Sequence, residues 1–176
     1  LNNARIDFGE TVSRGSEPDM IVVTDKALFF IEAKITAANE TTPSDKLNSK
    51  KYTSGGNNWF SKVFQSNYNT IAIEEKKYEL LRFWLLGTWI ANNLGLDFFL
   101  LNLVLGEREK EIEKVFKKHI IQNNRNKFFR TTWENIYSFI ANTKDNTTDK
   151  KVVLNYFKNK TIGYDSNRKL QRAFKI

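Results

Sequence analysis

Apolar residues cluster in short blocks along the chain, and the first two blocks predict a β-hairpin. Residues 19–23 and 28–35 are apolar runs rich in β-branched and aromatic side chains, separated by the turn segment 24–27. Two runs of this kind on either side of a short turn are typical of antiparallel strands. Both faces of each run are largely apolar, which predicts strands that are covered on both sides of a sheet.

The later blocks predict helices that alternate with two further strands. Helical spacing of apolar residues predicts helices over 59–68, 71–92, 107–121 and 133–141, with a last short helix around 152–156. Asn93 and Gly95 provide a stop signal, and Thr132 can cap the helix after it. Residues 97–105 and 128–132 are typical of strands. The order β-β-α-α-β-α-β-α predicts an α/β fold of the α+β three-layer type, with a central mixed β-sheet flanked by helices.

Two polar segments depart from this pattern. Residues 37–58 are dominated by Asn, Thr, Ser, Gly and Lys, which predicts a long, mobile polar loop. Residues 144–176 carry nine basic and three acidic side chains, whereas the preceding 143 residues carry 19 basic and 17 acidic ones. A basic segment on a nearly neutral body is typical of a face that binds a polyanion, and equally of a solvated tail. Because no linker or repeat is visible, we expect one domain over residues 1–176.

The composition of the chain limits the kinds of metal site that it can form. The chain has no cysteine and one histidine, His119, which excludes thiolate metal sites and sites that need two imidazoles. Any metal here should be a hard cation with oxygen ligands, and His119 is expected to be a surface or hydrogen-bonded residue. The absence of cysteine fits a reducing cytoplasm. The most apolar run, Leu80 to Ala91, contains Arg82 and is too short to span a bilayer, so it predicts a buried helix and no membrane contact.

One constellation of charged residues stands out: Pro18-Asp19, twelve residues, then Glu32-Ala33-Lys34. Residues i and i+2 of a strand point to one face, so Glu32 and Lys34 are neighbours.

The pairing of the hairpin decides where Asp19 lies. If Thr24 pairs with Ala27, opposed positions sum to 51 and Asp19 lies directly across from Glu32. Two carboxylates placed in this way need a cation between them or a shared proton. Lys34 supplies one positive charge, and a divalent metal would supply the rest. A shift of one residue would send Asp19 to the opposite face.

This motif resembles the signature of the PD-(D/E)XK nuclease superfamily, which has the restriction-endonuclease-like fold. The order of the later elements also agrees, and the phrases YELLRFWLLGTWIA and FRTTWENIYSFI look like those of bacterial restriction-endonuclease-like proteins. The resemblance implies Mg²⁺, with Mn²⁺ as a substitute, bound by Asp19, Glu32 and the backbone carbonyl of Ala33. It implies that Lys34 positions or deprotonates the attacking water, and that a DNA phosphodiester is hydrolysed by in-line displacement.

Further site residues follow from the same resemblance. Many members use an upstream acid, for which Glu10 and Glu17 are candidates, and Glu10 is preferred because Glu17 adjoins the motif. The chain begins at Leu1 rather than methionine, which leaves open an additional upstream segment. Lys50 and Lys51, in the polar loop, are candidates for contacts with the nucleic-acid backbone.

The sequence leaves three hypotheses about function open. The leading hypothesis is an endonuclease of restriction or defence type. The second is a catalytically silent, nuclease-like module that binds nucleic acid. The third is a Holliday-junction resolvase, which would need a dimer with paired sites. A homodimer, the sequence specificity, endo versus exo cleavage and DNA versus RNA are all left open by the sequence.

Overall fold

The computed structural model describes residues 1–11, 17–44, 49–144 and 147–176. Residues 45–48 of the predicted loop and residues 145–146 of the basic segment lie outside the described residues. The helices are α1 (Asn2–Asp7), α2 (Lys50–Asn58), α3 (Phe60–Val63), α4 (Tyr78–Leu94), α5 (Ile112–Lys117), α6 (Trp133–Asn142) and α7 (Thr148–Asn159). The strands are β1 (Met20–Val23), β2 (Ala27–Ala33), β3 (Asp97–Val104), β4 (Asn126–Thr132), β5 (Thr161–Tyr164) and β6 (Leu170–Arg172).

The centre of the fold is a mixed four-stranded sheet in the order β1-β2-β3-β4, flanked by helices. Strand β1 runs antiparallel to β2, whereas β2, β3 and β4 are parallel. The predicted α+β class with a mixed central sheet is therefore confirmed. The carboxyl ends of the three parallel strands meet at one edge of the sheet, and the end of β2 is where the motif lies.

The hairpin has the predicted register. Met20 pairs with Ile31 and Val23 pairs with Leu28, so opposed positions sum to 51. The turn is closed by Thr24, whose backbone N–H donates to the Ala27 carbonyl at 2.9 Å and whose hydroxyl accepts from the Ala27 N–H at 2.9 Å. These local hydrogen bonds hold a two-residue turn that lacks glycine.

Helix α4 forms the core against β2 and β3, and its buried face includes Phe83 and Trp84. Gly87 lies so close to the ring of Phe98 that an added Cβ would come within 2.1 Å of it. The helix ends at Gly95, whose φ of 71° is left-handed, as the stop signal predicts. None of the helices in the described ranges is long and apolar enough to cross a membrane.

Other predicted boundaries differ from the structure. The helix predicted over 71–92 begins only at Tyr78, because Thr70–Glu74 form a π-helical turn and Lys76 has a φ of 54°. The helices predicted over 59–68 and 107–121 shorten to α3 and α5, whereas β3, β4 and α6 lie within a residue or two of their predicted bounds. Thr132 caps α6 as predicted, because its hydroxyl accepts from the Asn135 N–H at 3.1 Å.

Three segments have a different environment from the expected one. All four residues of β1 are exposed, so the expectation of cover on both sides is wrong for β1, which is the outer strand of the sheet. Residues 50–58 of the predicted loop form α2, which is interrupted by non-helical backbone at Gly55, Gly56 and Asn57, and Tyr52 anchors it in the core. The basic segment contains α7 and the β5–β6 hairpin, and Phe174 packs there against Phe157 and Trp133.

Candidate active site

The hairpin brings Asp19, Glu32 and Lys34 together. Asp19 precedes β1, and its Oδ2 accepts a hydrogen bond from the Ala33 N–H at 2.7 Å. This bond ties Asp19, the residue before β1, to Ala33, the last residue of β2. Glu32 is 3% exposed, and its Oε1 accepts a hydrogen bond from the Lys34 ammonium. The sequence-predicted triad therefore occupies adjoining positions at one end of the hairpin.

Glu32 is a buried carboxylate with only one of its two oxygens hydrogen-bonded. Its Oε2 is buried and has no hydrogen-bond partner within the described ranges. Burial raises the pKa of Glu32 to about 7, with further contributions from the charges of Glu79 and Asp19, although Lys34 acts in the opposite direction. An unpartnered oxygen of this kind is costly in a folded protein, and a bound cation would relieve the cost.

Lys34 lies between two carboxylates. Its Nζ is 3.3 Å from Glu79 Oε2, in addition to its bond with Glu32. Burial alone would lower the pKa of Lys34, but the hydrogen bond to Glu32 and the charges of Glu32 and Glu79 outweigh burial and raise it. Lys34 is therefore a firmly protonated cation at neutral pH.

Glu79 is a site residue that the sequence reasoning missed. It lies in the first turn of α4, and its backbone N–H donates to the Thr41 hydroxyl at 2.9 Å. Its only signal in the sequence is an acidic residue at the start of an apolar helix, which the helix dipole explains equally well. Its contact with Lys34 spans 45 residues of sequence and depends on the packing of α4 against β2.

Glu10 has a different set of contacts. Its two oxygens accept hydrogen bonds from Arg82 Nε and Nη2 at 2.7 and 2.6 Å, and Arg5 Nε lies 3.8 Å away. Burial raises the pKa of Glu10, but the hydrogen bonds and charge of Arg82 outweigh burial and lower it overall. The alternative candidate, Glu17, accepts from Arg5 Nη1 at 2.9 Å. The catalytic role expected for Glu10 stays a prediction.

A polar cavity of about 420 Å³ adjoins these residues. Its wall contains Glu79, which also contacts Lys34, so the cavity opens beside the Asp19–Glu32–Lys34 site. Lys51 contributes to the wall, whereas Lys50 is exposed at the start of α2. The lining residues are Glu10, Thr11, Thr41, Thr42, Ser44, Lys51, Tyr52, Tyr78, Glu79 and Arg82.

A buried polar network supports this end of the sheet. Asn102 lies beside Glu32 in the β2–β3 register, and its Oδ1 accepts from Asn39 Nδ2 at 2.7 Å. Glu109 accepts from Asn102 Nδ2 at 3.0 Å and from the Asn39 N–H at 2.8 Å, while Lys77 donates to the Asn39 carbonyl at 3.0 Å. These hydrogen bonds hold Asn39, in the segment that follows β2, against the carboxyl end of β3. In the sequence, this network is indicated only by a polar residue, Asn102, inside the apolar strand 97–104.

The donor set at the site fits a hard divalent cation held by few protein ligands. Asp19 and Glu32 are carboxylates, and the buried Glu32 Oε2 is without a partner among the residues described. No group of three or more His, Cys, Asp or Glu residues suited to a metal occurs in the described part of the chain. A cation here would therefore take the remaining ligands from backbone carbonyls and water, as Mg²⁺ commonly does.

His119 is a hydrogen-bonded core residue, as expected. It is 2% exposed, with Nδ1 at 2.8 Å from Ser66 Oγ and Nε2 at 2.9 Å from Glu75 Oε2. Both ring nitrogens are used, so His119 has no part in the site.

Comparisons with protein-family models, with curated proteins and with solved structures find no match to this chain. The functional interpretation therefore depends on the geometry and electrostatics of the site itself.

Proposed function

We propose that this chain is a Mg²⁺-dependent nuclease of the PD-(D/E)XK type, with a restriction-endonuclease-like fold, that hydrolyses DNA phosphodiester bonds. We further propose that it is an endonuclease of restriction or defence type that acts in the cytoplasm. The observation that carries this proposal is the Asp19–Glu32–Lys34 arrangement, in which one Glu32 oxygen is buried without a hydrogen-bond partner among the described residues.

Asp19, Glu32 and the Ala33 carbonyl would hold the metal. When bound, Mg²⁺ supplies a Lewis acid for the phosphoryl oxygen and lowers the pKa of bound water, and Mn²⁺ can substitute for it. The hydrogen bond from the Ala33 N–H to Asp19 fixes the orientation of one carboxylate before any ligand arrives. Pre-oriented ligands of this kind reduce the ordering that binding would otherwise require.

Lys34 supplies the positive charge for the reacting phosphate. An ammonium group has three N–H donors, and Glu32 and Glu79 accept two of them. The third donor is available to a phosphate oxygen or to the attacking water. Because the pKa of Lys34 is raised, we assign it to positioning and charge stabilisation in preference to proton abstraction.

Glu79 acts through Lys34 in this scheme. It restrains the ammonium from the side of α4, while Glu32 restrains it from β2. Contacts with the DNA backbone are assigned to Lys50, Lys51 and the basic segment 144–176, whose charge predicts binding that weakens steeply with added salt.

The direct test is cleavage of supercoiled plasmid and of labelled single- and double-stranded DNA with Mg²⁺, Mn²⁺ or EDTA. We expect metal-dependent cutting by the wild type and a loss of at least about 10³-fold in Lys34→Ala, since a preorganised charge at the phosphate is removed. Lys110→Ala is the matched control, because that lysine forms an exposed ion pair with Glu107. Equal cutting by Lys34→Ala and Lys110→Ala would refute the assignment.

A second candidate function is a catalytically silent module that binds nucleic acid. It is favoured by the internal pairing of the site, in which Lys34 and the Ala33 N–H already occupy one oxygen each of Glu32 and Asp19. A wild-type protein that folds and binds DNA, but cuts no substrate and gains no thermal stability from Mg²⁺ or Mn²⁺, would support this alternative.

A further inference from the structure

The cavity beside Lys34 is larger than phosphodiester hydrolysis requires. Its volume of about 420 Å³ falls in the range of small-molecule sites, about 300–1,000 Å³. Glu79 forms part of its wall and lies 3.3 Å from Lys34 Nζ. A group in the cavity would therefore be adjacent to a phosphate that Lys34 contacts. In a nucleic acid, the group next to a phosphate is a nucleoside.

The charges in the cavity wall do not favour a second phosphate. Arg82 donates to both oxygens of Glu10, so this cation is already neutralised by a buried partner. Lys51 lies with Nζ 5.0 Å from the centroid of the Tyr52 ring, and its charge contributes to lowering the pKa of Glu10. With Glu79 added, the wall has as many acidic as basic groups. A site selective for phosphate would present cations in excess.

Neutral hydroxyl groups form the remainder of the wall. Thr11, Thr42 and Ser44 are exposed on the cavity side of the fold. A hydroxyl can donate and accept, and it rotates to suit its partner. The edge of a nucleobase combines donors and acceptors within a few ångströms, so hydroxyls complement every base. This chemistry suits a nucleoside without strong preference for one base.

Two phenols in the cavity wall are hydrogen-bonded to each other. Tyr52 Oη and Tyr78 Oη are 2.7 Å apart, and the two rings contact edge to face with centroids 6.0 Å apart. Tyr52 is buried and also stacks on the ring of Tyr68. These contacts hold this part of the wall in place before a ligand arrives.

We propose that the cavity binds an unpaired nucleotide of DNA adjacent to the scissile phosphate, an inference that rests on the proposed nuclease function. A base within a duplex is stacked and its edge is paired, so it cannot enter a pocket without leaving the helix. The preferred substrate is therefore a single strand, or a duplex from which one nucleotide is extruded.

The test is binding in EDTA, where cleavage does not occur, by fluorescence anisotropy with the full 176-residue chain. Three end-labelled probes share one sequence: a single strand, a fully paired duplex and a duplex with one bulged nucleotide. We expect the single strand and the bulged duplex to bind about tenfold more tightly than the paired duplex, the effect of about one well-recognised base edge. An abasic residue at the bulge should remove the advantage.

A pair of variants separates the cavity from the rest of the surface. Thr42→Leu/Ser44→Leu narrows the cavity and removes two hydroxyls, so it should abolish the tenfold preference. Ser54→Leu/Ser61→Leu adds comparable bulk at exposed positions outside the wall and should retain the preference. A wild type without preference, an abasic bulge that binds equally well, or a preference that survives in Thr42→Leu/Ser44→Leu would each overturn the proposal.

The fluorescence of 2-aminopurine placed in the paired duplex shows whether the bound nucleotide is extruded from a helix or belongs to a single strand. A fluorescence increase on binding supports extrusion from the helix, and no increase with a retained preference supports a single-stranded substrate. Failure of this inference differs from failure of the nuclease assignment. Metal-dependent, Lys34-dependent cutting of paired duplex with no cavity effect would reject the inference and leave the nuclease intact.

Discussion

Two buried glutamates, Glu10 and Glu32, show opposite ways of holding a carboxylate inside this fold. Each has a cationic partner, and they are 9% and 3% exposed. Both oxygens of Glu10 accept hydrogen bonds from Arg82, and the pKa of Glu10 is lowered. Glu32 gives one oxygen to Lys34, leaves Oε2 without a partner among the described residues, and has its pKa raised to about 7. Burial alone therefore does not set the direction of the pKa shift of a carboxylate in this fold, because the completeness of its pairing decides it.

The difference originates in the two cations. The guanidinium of Arg82 is a planar fork that matches both oxygens of one carboxylate. The ammonium of Lys34 is a compact charge, and it is shared between Glu32 and Glu79. The arginine thus completes one pair, and the lysine leaves part of a second carboxylate available to a ligand.

The largest expected effect is on catalysis. Glu32→Gln should lower plasmid cleavage by at least about 10³-fold, because it removes a charge from the proposed metal site. Glu10→Gln, measured per folded molecule, tests the catalytic role expected for Glu10 and should lose less activity than Glu32→Gln, because both Glu10 oxygens are occupied by Arg82. Initial rates at saturating Mg²⁺ compare the two. If both variants lose activity equally, Glu10 is also part of the catalytic site, as the sequence resemblance implies.

The next largest effect is on stability. Glu10→Gln should lower the free energy of unfolding by about 3 kcal/mol, since it removes the carboxylate charge that forms a two-bond pair with the buried Arg82. Urea unfolding followed by circular dichroism measures the change. Glu107→Gln, at an exposed pair with Lys110, should change stability by less than about 1 kcal/mol. Similar costs at the two sites would show that Arg82 finds another partner.

Acidification should remove part of the same stabilisation. The pKa of Glu10 is lower in the folded protein than in the unfolded chain. The stabilisation that Glu10 provides is therefore complete above the pKa of the unfolded chain, and it is lost as the pH falls through the pKa of the folded protein. Below about pH 4.5, the stability of the wild type should therefore fall faster than that of Glu10→Gln. Unfolding free energies between pH 7 and 3 give both curves. Parallel curves would exclude a lowered pKa at Glu10.

The smallest effect is stabilisation by metal. Mg²⁺ at about ten times its Kd should add about 1.4 kcal/mol, or about 3–6 °C in Tm. We expect Glu10→Gln to retain this shift and Glu32→Gln to lose it. Thermal melts with Mg²⁺, and with Mn²⁺ as the substitute, measure it. A shift that survives in Glu32→Gln would place the cation elsewhere.

The part of the fold that was predictable depends on local signals. A two-residue turn with Thr24 opposite Ala27 gives the hairpin register, in which opposed positions sum to 51 and Asp19 directly precedes the first pair. Gly95 and Thr132 mark helix ends because their backbone and side-chain preferences act within a few residues.

The features that sequence could not supply depend on distant contacts. The Glu10–Arg82 pair joins residues 72 positions apart, and the Lys34–Glu79 contact joins residues 45 apart. No local pattern encodes such pairs. The exposure of β1 was missed because its apolar composition resembles that of an inner strand, and only the strand order shows that it lies at the edge.

The outer position of β1 has a consequence for local unfolding of the protein. Within the described residues, β1 pairs with β2 alone, and all four of its residues are exposed. Edge segments of this kind detach at a lower free energy than the core unfolds. Fraying of β1 carries Asp19 away from Glu32 while the parallel strands and α4 stay folded. For the proposed nuclease, we expect mild heat or denaturant to abolish DNA cleavage while the circular dichroism spectrum is still native, so that the spectrum overstates the fraction of molecules with Asp19 beside Glu32.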